Sequence, residues 1–410
     1  MKLTLLTWTV AFCALVGTAF AKKGGEKAES RESAVTVFSS ADGGPHKSMR
    51  IPCIVNAGGL LIAAAEGRYS HGDQAQNDIV VSVSKNGGKT WSAPAIAAKS
   101  DGGSTFNNPC LIYDPATKQT TLLFQRYPKG VKERDGLPLD LQDEKALRSF
   151  VCFSKNGKKW TKPVEVTAAT RHKDCRTHCS GPNPGVLLTR GEHKGRQVVV
   201  FNEAEQFGNW HVTAAYSDDH GKTWKVGSGR SAGGHGINEV SSVETEDGGV
   251  LVVSRKFGGP GGGVKRVTRS EDGGDTWGEV TYHDELPCVG CQNGLTRYSF
   301  SDDAKLGGRS RILFSAPKGP GRKTGIVKMS YDDGKTWPVE KVVWSGAFAY
   351  SVMCPLNPGS VGLLFESDGG NTIKFMPVEL KWLTDGADAG TSAKSSAKGA
   401  AKKSAADDQI

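Results

Sequence analysis

Short apolar runs separated by polar, glycine-rich turns recur along the chain, and no segment sustains the 3.6-residue period of an amphipathic helix. Residues 79–83 have the sequence Ile-Val-Val-Ser-Val, and residues 325–329 have the sequence Gly-Ile-Val-Lys-Met. Runs of this length and composition are typical of β-strands. Each is followed at once by a turn-forming segment that begins with serine, Ser84 in the first case and Ser330 in the second. The pattern predicts an all-β protein.

The turn-forming segment repeats, with the general form Ser-x-Asp-x-Gly-x-Thr-Trp. Two copies have Asn in place of Asp, and one of these is a residue shorter. The five copies begin at Ser84, Ser154, Ser217, Ser270 and Ser330. Asp or Asn in such a segment bonds nearby backbone amides, and Gly supplies a positive φ. We expect the Trp to start the next strand and to bury a large face there, so each copy predicts a hairpin within a small sheet.

A small sheet cannot bury both of its faces alone, so several such sheets must stack around an axis. We therefore predict a single-domain β-propeller with six blades, five marked by a visible repeat and one degenerate. Because the same turn residues recur in every copy, the repeats indicate a structural role rather than a sugar-binding one.

The two ends of the chain differ in composition from the part between them. Residues 1–21 resemble a cleaved signal peptide, with Lys2 before an apolar stretch and Ala19-Phe20-Ala21 at the cleavage position. A membrane anchor is the alternative, but threonines and glycine dilute the stretch. We predict a secreted or periplasmic protein without a membrane span. Flexible segments are expected at 22–34 and at 385–410, where a disordered tail rich in Ala, Lys and Ser follows the propeller at 35–384.

The net charge and the cysteines limit which partners and cofactors are expected. The net charge of +9 comes from scattered Lys and Arg, so no nucleic-acid partner is predicted. The chain without its signal keeps eight cysteines, and two close pairs stand out, Cys175/Cys179 with His178 between them and Cys288/Cys291. Zinc is disfavoured because no second histidine follows at finger spacing. Disulfides or buried thiols are favoured instead, and no metal or other cofactor is predicted.

A further motif, Met49-Arg50-Ile51-Pro52, stands near the start of the predicted propeller. Together with the five repeats it resembles the sialidase (neuraminidase) family, in which the corresponding motif is commonly Phe-Arg-Ile-Pro. The resemblance covers about residues 45–383. It implies a six-bladed sialidase-like propeller that needs no cofactor. The implied activity is that of an exo-α-sialidase, which removes terminal sialic acid from glycoconjugates with retention through a tyrosyl-enzyme intermediate.

Sialic acid carries a carboxylate on its anomeric carbon, and arginine matches carboxylate geometry. By resemblance, three arginines hold this carboxylate. Arg50 belongs to the start motif, Arg255 closes a strand-turn-strand segment, and Arg322 precedes the last repeat. Arg309 and Arg311 also lie before the last repeat but are expected to be structural.

The stretch from Glu66 to Asp73 resembles the family segment that ends a strand with an arginine and carries an acidic residue about five positions on. By this match Arg68 lines the pocket and Asp73 is the acid/base on a flexible loop. Asp78 competes for that role but begins the next strand.

The proposed nucleophile is Tyr350, which resembles the tyrosine of the family's Tyr-Ser pair. A neutral tyrosine activated by a glutamate avoids repulsion between a carboxylate nucleophile and the carboxylate of the substrate. Glu239 matches the activating glutamate, while Glu244 and Glu246 lie closer to a turn. Glu366 matches a residue that orients Arg50, and the two can meet because the first and last blades are neighbours in a closed ring.

Two further interpretations of the sequence stay open. A non-catalytic carbohydrate-binding or scaffold propeller would use the same repeats, but it would not need Tyr350, Glu239 and Asp73 together. A sialyl-transferring enzyme of the same family would carry the same candidate site residues as a hydrolase and would differ from it in the acceptor site. Two loops, 107–109 and 180–185, resemble family loops around the mouth of the site, although turn formation explains them about as well.

Overall fold

The computed structural model describes residues 34–391, and the predicted signal peptide, residues 22–33 and residues 392–410 lie outside this range. The described chain is built almost entirely from β-strands, which confirms the all-β prediction. Its helical segments are short: α1 (Thr167–Thr170), α2 (Leu380–Leu383), and 3-10 turns at Glu133–Asp135, Ala304–Leu306 and Asp368–Gly370. None of the helices in the described part is long and apolar enough to cross a membrane.

The first strand, β1 (Val35–Ser39), is followed by two antiparallel groups of four strands each. The first group is β2 (Ser48–Ala57), β3 (Leu60–Arg68), β4 (Asn77–Ser84) and β5 (Ala95–Ala98). The second is β6 (Thr105–Asp114), β7 (Gln119–Tyr127), β8 (Arg148–Ser154) and β9 (Val164–Glu165). One parallel pairing, Asn77 with Thr105, joins the two groups into a single eight-stranded sheet.

Three further sheets follow in chain order. One contains β10 (Thr177–Ser180), β11 (Val186–Leu187), β12 (Gln197–Ala204), β13 (His211–Ser217) and β14 (Lys225–Val226). The next contains β15 (Ile237–Glu244), β16 (Val250–Lys256), β17 (Val264–Ser270) and β18 (Thr281–Pro287). The third contains β19 (Gly294–Ser299), β20 (Arg311–Pro317), β21 (Lys323–Ser330) and β22 (Val339–Ala347).

The last sheet closes the arrangement because the first strand of the fold belongs to it. It consists of β23 (Ser351–Pro355), β24 (Ser360–Ser367) and β25 (Thr372–Glu379), with β1 paired to β25. The side chain of Asn56 in β2 donates to the carbonyl oxygen of Pro355 in β23 at 2.9 Å, so the first and last sheets are in contact. The architecture is propeller-like. Hydrogen bonding gives five sheets where the sequence predicted six, because the Asn77–Thr105 pairing merges two groups.

Strand β3 shows why these sheets stack. Its odd-numbered residues Leu61, Ala63 and Ala65 pack in one core cluster with side chains of the last sheet. The alternating residues Ile62 and Ala64 pack in another cluster, with side chains of β6 and β7. Successive side chains of a strand point to opposite faces, so β3 is buried on both sides. This is the reason for its nearly continuous apolar sequence.

The five repeats form the turns between the third and fourth strands of their groups. In each copy the backbone N–H of a glycine donates to the hydroxyl oxygen of the first serine at 2.8–2.9 Å. In the third copy, Asp219 accepts from the backbone N–H and the hydroxyl of Thr223, at 2.8 and 2.7 Å. Gly88 has a φ of +88°, and a Cβ there would lie 1.9 Å from Phe375. The contacts confirm the turn prediction, although the Trp lies shortly before the next strand rather than at its start.

The packed fold continues past the predicted boundary at residue 384. Asp388 is buried and accepts two hydrogen bonds of 2.7 Å from the guanidinium group of Arg311. The expected disordered tail from residue 385 therefore starts too early, because a tertiary ion pair that composition cannot reveal fixes residues 385–391. The eight cysteines of the described chain are all buried free thiols, so the prediction of buried thiols holds rather than that of disulfides.

Candidate active site

The predicted site residues lie at one end of the strands. Arg50 is near the start of β2 and Arg68 ends the antiparallel neighbour β3. In the same way, Glu239 is near the start of β15 and Arg255 is near the end of its partner β16. Antiparallel pairing thus brings the start of one strand to the end of the next. A cleft of about 270 Å³ opens there, and its lining includes Ile51, Arg68, Asp73, Glu239, Arg255 and Tyr350.

Tyr350 lies at the centre of this arrangement and is 5% exposed. Its hydroxyl donates a short hydrogen bond to Oε1 of Glu239. Nη1 of Arg255 donates to the same hydroxyl oxygen at 3.1 Å and to Oε2 of Glu239 at 2.8 Å. Burial and the charge of Glu239 raise the pKa of Tyr350 well above its usual value, while Arg255 and Arg322 act in the opposite direction. The phenol therefore carries its proton at neutral pH and points it at a carboxylate that can accept it.

Three guanidinium groups converge on Tyr350. Besides Arg255, the guanidinium carbon of Arg50 lies 5.2 Å from the centroid of the tyrosine ring, and that of Arg322 lies 5.3 Å from it. Arg322 also donates to the carbonyl oxygen of Gly290 at 3.3 Å. The three arginines come from three different sheets or their connecting loops, and two of them are paired with carboxylates, Arg50 with Glu366 and Arg255 with Glu239.

Arg50 is held by Glu366. Oε1 of Glu366 accepts from Nε of Arg50 at 2.7 Å and from the backbone N–H of Ile51 at 2.8 Å. Burial lowers the pKa of Arg50, but Glu366 more than offsets this and the pKa is raised. Ile51 has a φ of +57°, in the left-handed region that a β-branched residue rarely adopts. The same carboxylate oxygen thus fixes the arginine and a strained backbone next to it.

Arg68 and Asp73 form an ion pair at the other side of the cleft. Nη1 of Arg68 donates to Oδ1 of Asp73 at 2.7 Å. Asp73 lies on the loop between β3 and β4, and its side chain is 84% exposed. Partial loss of solvent around the carboxylate acts to raise the pKa of Asp73, but the hydrogen bond and charge of Arg68 prevail and the pKa is lowered. Asp73 is therefore ionised at neutral pH in the unliganded protein.

The competing acid, Asp78, has a structural role. It is fully buried, and its Oδ1 accepts from the backbone N–H and the hydroxyl of Ser100, both at 2.8 Å. Its Oδ2 contacts His46 at 3.1 Å and accepts from the hydroxyl of Tyr69 at 3.0 Å. Asp78 is not among the side chains that line the cleft, so the geometry favours Asp73.

Glu244, Arg309 and Arg311 do not line the cleft either. Glu244 accepts from the backbone N–H of Thr189 at 2.7 Å and lines a second cleft of about 590 Å³ at the opposite ends of the inner strands. Arg309 and Arg311 both pair with Asp388, at 3.6 and 2.7 Å. These residues stabilise the fold, as expected from the sequence.

Glu66 is a site residue that the sequence motifs did not indicate. It is buried at 1% exposure, and its Oε2 accepts from Nε of Arg68 at 2.8 Å. Its Oε1 accepts from the backbone N–H of Asn108 at 2.9 Å, which ties the loop at 107–109 to the site. Burial raises the pKa of Glu66, with Arg68 acting against it. A signal was present, because residues two apart on a strand share a face and Glu66 therefore accompanies Arg68.

A second unforeseen carboxyl group, Glu133, also lines the cleft. Burial, with a contribution from the charge of Glu239, raises the pKa of Glu133 to about 7. Its Oε1 is buried without a hydrogen-bond partner in the described chain. Glu133 begins a 3-10 turn inside the irregular connection between β7 and β8. Such a connection has no periodicity, so the sequence carried no signal for its position.

The same arrangement of repeats and strands is found in known proteins. A family described as the BNR repeat-like domain matches residues 59–363. A sialidase of Micromonospora viridifaciens is 32% identical over 345 residues, which are 82% of this chain and 52% of the relative. The chain belongs to the sialidase family of BNR-repeat proteins. Sialidases are glycoside hydrolases, and the resemblance inferred from the repeats and the Arg-Ile-Pro motif is confirmed.

Further known proteins share this fold. A sialidase of Bacteroides fragilis is 24% identical over 359 residues, covering 82% of this chain and 62% of the relative. The structure of a Hadza microbial sialidase superimposes with a TM-score of 0.72 at 25% identity, over 82% of this chain and 67% of that one. A leech intramolecular trans-sialidase gives a TM-score of 0.73 at 19% identity, over 86% and 71%. The chain spans between half and two thirds of the length of the two curated relatives.

Proposed function

We propose that this sialidase-family protein is a retaining exo-α-sialidase that hydrolyses terminal sialic acid from glycoconjugates through a tyrosyl-enzyme intermediate. The observation that carries the proposal is the contact of the Tyr350 hydroxyl with both Glu239 and Arg255, with the guanidinium groups of Arg50 and Arg322 beside the same ring. The proposed roles of all these residues rest on this geometry together with family membership.

The arginines suit a substrate whose anomeric carbon carries a carboxylate. Arg50, Arg255 and Arg322 surround the proposed nucleophile, so a carboxylate bound by them would place its attached carbon next to the Tyr350 oxygen. A carboxylate nucleophile at this point would repel that group, whereas the protonated phenol is neutral. The cleft of about 270 Å³ lies below the roughly 300–1,000 Å³ of sites for drug-sized ligands. A cleft of this size has no room for several sugar units, which supports exo action.

The proton movements follow from the contacts. As the oxygen of Tyr350 bonds to the anomeric carbon, its proton passes to Oε1 of Glu239, and Arg255 stabilises the pair. Asp73 protonates the departing glycosidic oxygen as the bond to the aglycone breaks. In the second displacement Asp73 removes a proton from the attacking water, the bond between the anomeric carbon and Tyr350 breaks, and Glu239 returns its proton to the tyrosine oxygen. Two displacements at the same carbon retain its configuration. Because Arg68 keeps Asp73 ionised in the free protein, we expect the bound aglycone to cover Asp73 and weaken this ion pair, which raises the pKa of Asp73.

Two finer statements about the chain belong to the same proposal. We count six blades, because the eight-stranded sheet consists of two four-stranded meanders joined only by the Asn77–Thr105 pairing. We also propose export through the signal-like residues 1–21, which fits a substrate on glycoconjugates outside the cytoplasm. The proposed export is tested by recovering the protein from outside the cytoplasm and determining its N-terminal sequence.

The decisive experiment measures release of a fluorescent aglycone from an α-sialoside by the wild type and by Tyr350→Phe. Removal of the hydroxyl should lower kcat by several orders of magnitude. Tyr113→Phe is the matched control, since Tyr113 lines the second cleft at the other end of the strands and should leave the rate unchanged. An unchanged rate for Tyr350→Phe would remove the mechanism. Nuclear magnetic resonance of the first-formed sugar product separates retention from inversion and hydrolysis from transfer.

A further inference from the structure

A second cluster of chemically active side chains lies in the sheet that contains β10 and β12. Cys175 precedes β10, and His178 on β10 is paired in register with Glu203 on β12. All three side chains are fully buried, and one ligand atom from each lies within 4.8 Å of the others. The next residue, Cys179, lines the active-site cleft. Because side chains alternate along a strand, His178 points to the other face of the sheet, away from the proposed catalytic groups.

The imidazole of His178 has no hydrogen-bond partner at either ring nitrogen within the described chain. Its Nδ1 faces Oε2 of Glu203 at 3.5 Å, which is longer than a good hydrogen bond. The ring is stacked on Phe201 with centroids 4.1 Å apart, so its orientation is fixed by packing. Buried polar groups nearly always have a hydrogen-bond partner, so a buried group without one indicates a bound ligand. A fully buried imidazole with two open nitrogens, beside a carboxylate and a thiol, points to a ligand held by nitrogen, oxygen and sulphur donors.

We propose that Cys175, His178 and Glu203 bind a divalent transition-metal ion, of which zinc fits best. Zinc accepts this mixture of thiolate, imidazole and carboxylate donors, and three protein ligands with one further position are common at its sites. An ion at this position would join the loop before β10 to the body of the sheet.

Two arginines, the buried Arg171 and the partly buried Arg230, lie near the cluster. Arg230 donates to Oε1 of Glu203 at 3.1 Å, whereas Oε2 accepts from the neutral hydroxyl of Thr213 at 3.1 Å. Oε2 is the oxygen that faces His178. Arg230 also pairs with Asp174 and Glu205, so its charge is compensated outside the cluster. A thiolate and a carboxylate then neutralise the two charges of the ion.

Binding requires one proton to leave. The thiol of Cys175 donates to the carbonyl oxygen of Thr177 at 2.7 Å, so the sulphur carries its proton in the metal-free protein. Formation of the metal–sulphur bond breaks the S–H bond, and the proton is released to solvent with no change of oxidation state. Neutral histidine and ionised glutamate need no further proton transfer.

The ligand set differs from the one that the sequence suggests. The spacing of Cys175, His178 and Cys179 indicates only a weak zinc motif made of adjacent residues. In the fold, Cys179 lies on the opposite face and makes a 3.2 Å contact with the hydroxyl of Tyr127. Glu203 takes its place from the neighbouring strand, and only the strand register brings it to His178.

The test uses the full protein as purified. Metal content is measured by elemental analysis after dialysis, and the metal-stripped protein is titrated with CoCl₂ and with ZnCl₂. We expect one equivalent of ion, and with cobalt a thiolate-to-metal charge-transfer band in the near ultraviolet. Cys175→Ser should lose the band and His178→Gln should weaken binding at least tenfold. Cys152→Ser, which removes another buried thiol, should behave as the wild type.

Each outcome of these measurements either supports or overturns the proposed metal site. Wild-type protein that binds no stoichiometric cobalt or zinc overturns the proposal, and so does a cobalt band that survives in Cys175→Ser. Circular dichroism shows whether each variant is folded, and His178→Gln serves if Cys175→Ser is not. A His178→Gln variant that binds as tightly as the wild type also overturns the assignment. Because the site lies on the face away from Tyr350, none of these results depends on sialidase activity.

Discussion

The replacement Glu366→Gln tests the contact on which the position of Arg50 depends. Oε1 of Glu366 accepts from Nε of Arg50 at 2.7 Å and from the backbone N–H of Ile51 at 2.8 Å. Glutamine keeps the shape and one acceptor oxygen but loses the charge. A hydrogen bond to a charged group contributes about 1.5–3 kcal/mol, compared with about 0.5–1.5 kcal/mol for a neutral one. Two such bonds weakened by about 1 kcal/mol each give an expected loss of about 2 kcal/mol in the free energy of unfolding.

The same change should weaken substrate binding. Arg50 keeps its charge but is no longer held at one orientation, and Ile51, at a φ of +57°, loses the charged acceptor that fixes its strained backbone. If about 1.4 kcal/mol of carboxylate binding is lost, kcat/KM falls about tenfold. The effect should appear mainly as a raised KM, because the nucleophile and its base are untouched.

Glu244→Gln is the matched control. Glu244 is also buried, and its Oε1 also accepts two hydrogen bonds, here from the backbone N–H groups of Thr189 and Arg190, both at 2.7 Å, but it lies at the opposite end of the strands. Urea unfolding should show a similar loss of stability in both variants, and steady-state kinetics on a fluorescent sialoside should show the KM change only in Glu366→Gln. Kinetic constants of Glu366→Gln within about twofold of the wild type, despite the stability loss, would refute the orienting role.

Three further predictions concern single residues. Asp73→Asn should lower kcat/KM by about 10²–10⁴-fold for a sialyl sugar, because the leaving sugar needs a proton. The loss should be much smaller for an aryl sialoside, whose leaving group needs the proton less. Equal losses on both substrates would contradict the role of Asp73 as the acid. Since Glu133 has a pKa of about 7, it ionises as the pH rises through that value and adds a negative charge to a cleft for an anionic sugar. The pH profile of kcat/KM should therefore fall above about pH 7 in the wild type, and this limb should be absent in Glu133→Gln; superimposable profiles would show that Glu133 does not face the substrate. Asp219→Ala removes three hydrogen bonds from the third repeat, donated by the backbone and hydroxyl of Thr223 and by the hydroxyl of Ser217, and should lower the free energy of unfolding by about 1–2 kcal/mol with unchanged kinetics. Lost activity in a variant that is still folded would mean that the repeat takes part in the site.

The family and the candidate site residues could be inferred from local sequence, because both are indicated by short motifs. A repeated turn needs a serine, an Asp or Asn and a glycine at fixed spacing, whatever the rest of the molecule does. The five copies therefore predict stacked hairpins. The Arg-Ile-Pro motif and the segments around Glu239 and Tyr350 identify the side chains that the fold brings together around one hydroxyl group.

Other features could not be predicted from local sequence, because they depend on contacts between residues that are distant in the chain. The parallel pairing of Asn77 with Thr105 merges two groups into one sheet, and the Arg311–Asp388 ion pair extends the fold beyond residue 384. Neither leaves a pattern in the sequence near it. The carboxyl of Glu133 enters the cleft from an irregular connection, where no periodicity indicates the direction of a side chain.

The sequence by itself therefore determined the strand-and-turn plan, the family and the chemical types of the site residues, because each depends on residues adjacent in the chain. Only the tertiary structure decided how Cys175, His178 and Glu203 come within 4.8 Å of one another and which carboxyl groups are buried. The physical reason is that pairing register and ring closure set these distances. Both are properties of the packed sheets as a whole, and no short segment encodes them.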